Sequence, residues 1–290
     1  MEESVTQRSM LKDMVTREGY EVVESSTGDD ATEKLRTEGI DAVLVNWELV
    51  DITGPELVRR WQESGEFNFV PFLIVTSYVD AEHVRVSLDA GATDFIRKPP
   101  DQIELFARLR LALRIRDMGI QLHENAIRDA LTGLYNRRYV QTELERHCEA
   151  AKRYGEAFSV AMIDIDLFKS INDSLGHAMG DTILQQTAEY FSGRLRKTDI
   201  VARFGGEEFL IVLHATSLPQ AGIALESLRK GMADRRFGSD DVVVNVTFSA
   251  GVASWSAELT DAQGIIKKAD DCLYASKHAG RNRVTLVTQG

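Results

Sequence analysis

"DIVARFGGEEFLIVL", residues 199–213, reads as two β-strands, 199–204 and 207–213, folded about a pair of glycines. Hairpin loops often need positive φ, which glycine supplies without steric cost. Glycine also leaves the backbone bare enough for a ligand to come close. The turn alone says only that the chain reverses. The two carboxylates after it, Glu207 and Glu208, are costly to bury without partners. Neighbouring side chains on a strand point to opposite faces, so one of the two is expected to meet acids on an adjacent strand. Working outward, "SVAMIDID" (159–166) is such a strand, and Asp164 and Asp166 at its end are two apart and share a face. A helix over 180–196 precedes the hairpin and another over 221–233 follows it. A strand pair or one bent strand runs through 242–253, a helix lies within 260–280 and a last strand covers 282–287. Helix, two strands and helix with a strand on either side give a ferredoxin-like antiparallel core.

The first 100 residues follow a different rhythm. Strand-like segments at 20–25, 41–47, 70–77 and 94–100 alternate with helical ones at 29–39, 55–64 and 80–92. Alternation of this kind predicts an α/β fold with a parallel sheet covered on both faces. Residues 101–128 read as one long helix between the two regions. Phe106, Leu109, Leu113, Ile120 and Ile127 fit one heptad seam, interrupted by Arg116 and His123 and weakened at Gly119. Leu111, Ile115, Met118 and Leu122 fit a second. An apolar surface that wide predicts more than one packing partner, either its own domain or a second copy in a parallel dimer stalk. The expected organisation is therefore a domain at 1–100, a helical linker at 101–128 and a second domain at 129–290.

Bulk properties narrow the function classes. The chain has 290 residues, 43% hydrophobic and 27% charged, with a formal net charge of −11. A nucleic-acid or anionic-membrane surface is not the expected partner, so a polyphosphate ligand must be met locally by metal ions or a few cations. Cys148 and Cys272 lack metal-ligand spacing and read as reduced thiols of a cytosolic, cytoplasmic protein. The start of the chain has no apolar signal-peptide core, and no apolar run approaches a membrane span.

The acidic strand end beside an acidic hairpin makes a plausible Mg²⁺ site, with hard oxygen ligands and room for phosphate oxygens. In "LFKSINDSLGHAMGD" (167–181) the turn after that strand can aim backbone N–H groups at phosphates, with Lys169 adding a cation. Asn172 and Asp181 offer amide and carboxylate edges, and a carboxylate can accept two N–H donors from guanine. Lys277 and Arg281, four apart at a helix end, are expected on one face, where they would neutralise terminal phosphates. Each residue taken singly is more simply a solvated surface side chain; the constellation is what carries the reading.

"DALTGLYNRR" (129–138), "DIDLFKSINDSLGHAMGD" (164–181), "RFGGEEF" (203–209) and "LYASKHAGRNRV" (273–284) resemble, in order, the motifs of GGDEF-domain diguanylate cyclases. The resemblance implies that two GTP are joined into cyclic di-GMP with release of two pyrophosphates, by a homodimer in which each domain holds one GTP. It implies Mg²⁺, with Mn²⁺ as the alternative ion, on Asp164, the Ile165 carbonyl and Glu207. Glu207 would also be the base for the 3′-hydroxyl, and Glu208 would assist with metal or structure. Asn172 and Asp181 would read guanine with His177 lining the pocket, Phe168 and Lys169 would lie on the phosphate turn, and Lys277 and Arg281 would contact terminal phosphates. "RKTD" resembles the family's inhibitory RxxD, with Arg196 and Asp199 as its ends. Ser227 aligns where many relatives add an arginine, with Arg229 nearby.

Residues 1–100 resemble the receiver domain of response regulators, a flavodoxin-like fold. Thr76, Phe95 and Lys98 match its switch threonine, aromatic and phosphate-contacting lysine. Asn46 stands where that family has its phosphoacceptor aspartate, and an amide is a far poorer nucleophile. Glu2 and Glu3 match the acidic metal pair with almost nothing before them, so the usual first strand is expected to be missing through truncation or an unusual N-terminus. The resemblance implies a degenerate receiver that dimerises or docks an upstream signalling protein without aspartyl phosphorylation. The alternative for the whole chain is a non-catalytic module that binds GTP or cyclic di-GMP. The retained Asp164, Glu207, Asn172, Asp181, Lys277 and Arg281 favour the enzyme.

Overall fold

A computed structural model describes residues 1–78, 80–239, 242–256 and 261–287. Two compact units emerge, Met1–His123 and Glu124–Gly290.

In the first unit, α1 (Val5–Arg17), α2 (Gly28–Thr37), β1 (Val43–Asn46), α3 (Gly54–Ser64), β2 (Phe72–Thr76), α4 (Ala81–Asp89) and β3 (Asp94–Arg97) lead into α5 (Gln102–Ile127). The strands form a three-stranded parallel sheet in the order β1-β2-β3. Every residue of β2 is buried, as expected of a strand covered on both faces. Phe72 and Ile74 pack with Leu57, Val58 and Trp61 of α3. Leu73 and Val75 pack with Leu11 of α1 and with Leu105, Phe106 and Leu109 of α5.

Residues 20–25, expected as a strand, are extended but belong to no sheet. A strand needs a ladder of backbone partners. Residues 1–2 lie beside β1 instead: Met1 N donates to the Leu44 carbonyl at 2.7 Å and Asn46 N–H to the Met1 carbonyl at 3.0 Å, while a single bond, Glu2 N–H to the Ser25 carbonyl at 3.2 Å, reaches 20–25. A groove of about 540 Å³ runs alongside, lined among others by Leu11, Val15, Tyr20, Leu44 and Leu109.

In α5 the two seams part. Phe106 and Leu109 are buried and Leu113 packs beside them, Arg116 pairs with Asp41 at 2.6 Å, and the His123 ring lies 5.4 Å from that of Phe69. Leu111, Ile115, Met118 and Leu122 remain 56, 52, 54 and 68% exposed.

The second unit runs β4 (Tyr135–Asn136), α6 (Arg137–Tyr154), β5 (Phe158–Ile165), α7 (Phe168–Leu175), α8 (His177–Ser192), β6 (Ile200–Arg203), β7 (Glu208–His214), α9 (Leu218–Ala233), β8 (Arg236–Gly238), β9 (Val243–Asn245), β10 (Phe248–Ser254), α10 (Ala262–His278) and β11 (Val284–Leu286). The six-stranded sheet is ordered β11-β10-β5-β7-β6-β4. Its middle, β10-β5-β7-β6, is antiparallel throughout. This is the ferredoxin-like core read from the hairpin, extended by parallel edge strands β4 and β11. Side chains alternate across it: Ile163, Ile165, Phe209 and Ile211 face α8 and α9, while Val160, Met162, Leu210 and Val212 face α6 and α10. Asp164 and Glu208 continue the second series. Helix α10 crosses β10 so closely at Gly251 that a Cβ there would overlap the Ala269 carbonyl and the Leu273 nitrogen. The Ser276 hydroxyl, 2.7 Å from both the Ala250 carbonyl and the Thr285 hydroxyl, fastens the end of the helix to the sheet.

Candidate active site

The acids of β5 lie at the end of the sheet that the Gly-Gly hairpin closes. Phe204 and Gly205 N–H both donate to the Glu208 carbonyl, at 2.8 and 3.2 Å. Gly205, Gly206 and Glu207 thus form a three-residue loop. Neither glycine has positive φ, so the turn does not need glycine for its backbone angle, contrary to the sequence reading. The space around them matters instead. A Cβ on Gly205 would strike the Glu208 carboxylate, and one on Gly206 would meet nothing within 4 Å, which leaves the loop open to a close neighbour.

Strand alternation does not sort the two glutamates as expected, because only Glu208 is in the strand. It sits directly across from Asp164 in the ladder, which places their side chains on one face. Glu207 belongs to the loop, and its carbonyl accepts the Ile165 N–H at 3.2 Å. Burial pushes its carboxyl up from the usual range, and the charge of Asp164 adds to the shift. Burial also pushes Asp164 up, even though Lys277 Nζ lies 2.6 Å from its Oδ2. In both, burial outweighs the positive charge of Lys277 nearby. Among the described residues no group of three or more His, Cys, Asp or Glu side chains is placed to hold a metal ion. The donors available at the strand end are the Asp164 and Glu207 carboxylates and the Ile165 carbonyl, all hard oxygens that suit Mg²⁺ or Mn²⁺.

Asp166, two residues on, is differently placed. Its oxygens accept from the Ser249 hydroxyl (2.7 Å), the Thr247 hydroxyl (2.7 Å) and the Asn282 N–H (3.0 Å).

Helix α7 starts at the foot of β5. Its N-cap Leu167 is left-handed (φ 58°) and no side chain caps the first turn, so the leading N–H groups and their partial positive charge are available to an anion. Lys169 is exposed beside them. The Phe168 side chain is core, packed with Ile183 and Phe209, which leaves only its backbone for a phosphate. Asn172 abuts Gly180, where a Cβ would overlap its Oδ1; that oxygen is buried without a partner. His177 and Asp181 are exposed on the first turns of α8. Three residues, Asn172, His177 and Asp181, are therefore gathered at the α7–α8 junction.

Lys277 and Arg281 do not share a helical face. Helix α10 ends at His278, and Gly280, Arg281 and Asn282 all have positive φ, of 109, 62 and 45°. Arg281 reaches the neighbourhood of Asp164 from this left-handed turn, where its positive charge acts on that carboxyl.

Arg196 is exposed. Asp199 accepts the Arg196 N–H (3.1 Å) and the His214 N–H (3.2 Å), so it braces the turn into β6. Arg229 is held by Glu226 and donates to Asn282 Oδ1 at 2.7 Å. The sequence reading missed Asp129 and Arg203 as a pair. Arg203 donates to the Gly206 carbonyl through Nε (3.2 Å) and Nη2 (2.8 Å), and to Asp129 through Nη1 (3.2 Å). The arginine two residues before a glycine pair was the available signal.

In the first unit, Asn46 at the end of β1 is buried. Its amide donates to Glu2 Oε1 (3.3 Å) and the Glu48 carbonyl (2.5 Å). Lys98 donates to Glu2 Oε2 and to Gln7, each at 2.7 Å, and the Thr76 hydroxyl oxygen accepts the Tyr78 N–H at 2.9 Å. Glu2 is 2% exposed, whereas Glu3 points to solvent.

A parallel α/β unit is thus followed, through a long helix, by a ferredoxin-like unit with acids at the end of its sheet. Residues 126–283 match the family model for the diguanylate cyclase GGDEF domain, and residues 1–110 match the response regulator receiver domain. The chain belongs to the GGDEF-domain diguanylate cyclase family. It is 31% identical over 254 residues to the response regulator PleD of Caulobacter vibrioides, covering 84% of this chain and 56% of PleD. It is 41% identical over 169 residues to diguanylate cyclase A of Treponema denticola, covering 57% of this chain and 46% of that protein. The chain spans about half the length of these curated relatives. Among solved structures, the coiled coil and GGDEF domain of DgcB from Caulobacter crescentus, in complex with c-di-GMP, matches with a TM-score of 0.60 at 30% identity, over 64% of this chain and 98% of that one. No helix of the described residues is long and apolar enough to cross a membrane.

Proposed function

We propose that the protein is a diguanylate cyclase that joins two GTP into cyclic di-GMP and two pyrophosphates. The observation that carries this reading is geometric: Asp164, ion-paired to Lys277, and the hairpin carrying Glu207 meet at one sheet end, next to the uncapped N-terminus of α7 and with Arg281 close by. The second unit of each chain holds one GTP. The Asn172 amide donates to guanine acceptors and the Asp181 carboxylate accepts guanine N–H groups, with His177 beside them. The N-terminal N–H groups of α7, with Lys169, hold inner phosphate oxygens, and Lys277 and Arg281 hold the terminal ones. Lys277, now paired with Asp164, turns to phosphate when nucleotide enters.

In each transfer the 3′-oxygen of one nucleotide attacks the α-phosphorus of the other in line, and the bond to pyrophosphate breaks. Glu207 takes the hydroxyl proton, and a carboxyl raised by burial is suited to that exchange. Mg²⁺ or Mn²⁺ on Asp164, the Ile165 carbonyl and Glu207 would neutralise phosphate charge. Glu208 supports the loop from beneath Gly205. One unit presents one nucleotide, so two copies must meet, and positioning becomes the main catalytic device. The exposed Leu111, Ile115, Met118 and Leu122 supply a seam for a parallel homodimer. DgcB was solved with a coiled coil and with c-di-GMP, which supports both the stalk and product binding, here at Arg196 and Asp199. Asn46 argues that the receiver-like unit answers an upstream protein by contact and not by accepting phosphate.

Incubation with GTP and Mg²⁺ over a range of protein concentrations, with chromatographic separation of products, tests the reading. Cyclic di-GMP formed faster than first order in protein is expected. Absence of product at every concentration would leave only a nucleotide-binding module.

A further inference from the structure

Asp166 has no ion pair among the described residues, although it directly follows the strand that carries Asp164. It is 6% exposed. Its Oδ1 accepts the Ser249 hydroxyl, and its Oδ2 accepts both the Thr247 hydroxyl and the backbone N–H of Asn282. Its own N–H donates to the Thr247 carbonyl at 2.9 Å. Three donors on two buried oxygens leave this carboxylate little capacity for a metal ion. What it holds is the turn after α10. Arg281 and Asn282 are non-glycine residues at φ 62 and 45°, a region L-residues occupy only when surrounding contacts over-determine it. Asn282 is tied from both ends: its N–H goes to Asp166, and its Oδ1 takes the Arg229 Nη1 at 2.7 Å. Between these tethers and the helix end, the Arg281 guanidinium has no hydrogen-bond partner among the described residues.

We propose that Asp166 is a positioning residue: by holding Asn282 in its left-handed turn, it aims Arg281 at the terminal phosphates of the bound nucleotide, with Arg229 as the second tether. The inference rests on the reading above that Arg281 meets those phosphates. A charged acceptor makes the stronger bond to the Asn282 N–H. An alanine at position 166 frees the turn, whereas an asparagine can still accept from Asn282 while the Ser249 hydroxyl rotates to accept from the new amide.

The test is calorimetric binding of 3′-deoxy-GTP and 3′-deoxy-GMP, which lack the attacking hydroxyl, to the full chain with Mg²⁺. Asp166→Ala is expected to weaken the triphosphate about tenfold or more and leave the monophosphate unchanged. Arg281→Ala should do the same, the double variant should add nothing further, and Asp166→Asn should recover most of the loss. Equal weakening of both nucleotides by Asp166→Ala, additivity with Arg281→Ala, or a shifted Mg²⁺ requirement overturns the proposal. Should Asp166→Ala not fold, Arg229→Met cuts the other tether and must show the same triphosphate-selective loss; without it the proposal fails. If Arg281→Ala itself spares the triphosphate, the assignment of Arg281 falls and the inference with it. If only the Asp166 and Arg229 variants spare it, the inference alone falls.

Discussion

At Arg203 one guanidinium holds two distant segments, the Asp129 carboxylate and the Gly206 carbonyl. A planar fork can do this and a lysine point charge cannot. Arg203→Lys is therefore expected to lower kcat about tenfold, the scale of a lost charged hydrogen bond, with a smaller change in the KM for GTP, measured by steady-state turnover. Arg196 is expected to matter only once product accumulates. Progress curves of Arg196→Ala should stay linear where the unsubstituted protein slows, and an unchanged curve would remove Arg196 and Asp199 from product inhibition. Much at this scale was legible beforehand. Asp164 and Glu207 announce themselves because acids at strand ends need a reason. The shared face expected of Lys277 and Arg281 fails, since i to i+4 spacing assumes a helix that stops at His278. Asp166 looked like a twin of Asp164 because alternation fixes a face and says nothing about which hydroxyls and N–H groups wait there. The Asp129–Arg203 pair joins residues far apart in the chain, a separation that periodicity cannot bridge.

Among elements, α5 gives the clearest case of a pattern resolved by packing. Two seams were visible in the sequence, and only burial tells that the one through Phe106 and Leu109 belongs to the first unit. The second is left with exposed apolar side chains, each contributing about 1.5–3 kcal/mol if fully buried. Replacing Leu111, Ile115, Met118 and Leu122 with serine should dissociate the proposed dimer in sedimentation. The same variant should lose activity about tenfold or more at low protein concentration while its affinity for GTP stays unchanged. Helix α6 carried a readable stripe, Val140, Leu144, Cys148 and Ala151, diluted by its many charges. β4 and β8, at two and three residues, are too short for any period to register. Residues 20–25 had strand composition but lacked neighbours, and composition does not provide a ladder.

For the molecule as a whole, the proposed function divides chemistry from control between the two units. The receiver-like unit has three parallel strands, Thr76 and Lys98, but Lys98 is satisfied by Glu2 and Gln7, and Asn46 is satisfied by Glu2 and the Glu48 carbonyl. Acetyl phosphate or beryllofluoride is accordingly expected to change neither sedimentation nor the rate of cyclic di-GMP formation, and a response in either would show that the amide site still receives. That closed set of contacts also bears on duration. An aspartyl phosphate gives a protein an internal clock, because the signal persists until the acyl phosphate hydrolyses. The Asn46 amide forms no such bond, so under the proposed control by contact a state imposed by a bound protein lasts only as long as that protein stays bound. The memory of such a protein is a dissociation rate, tuned by the partner's concentration and grip.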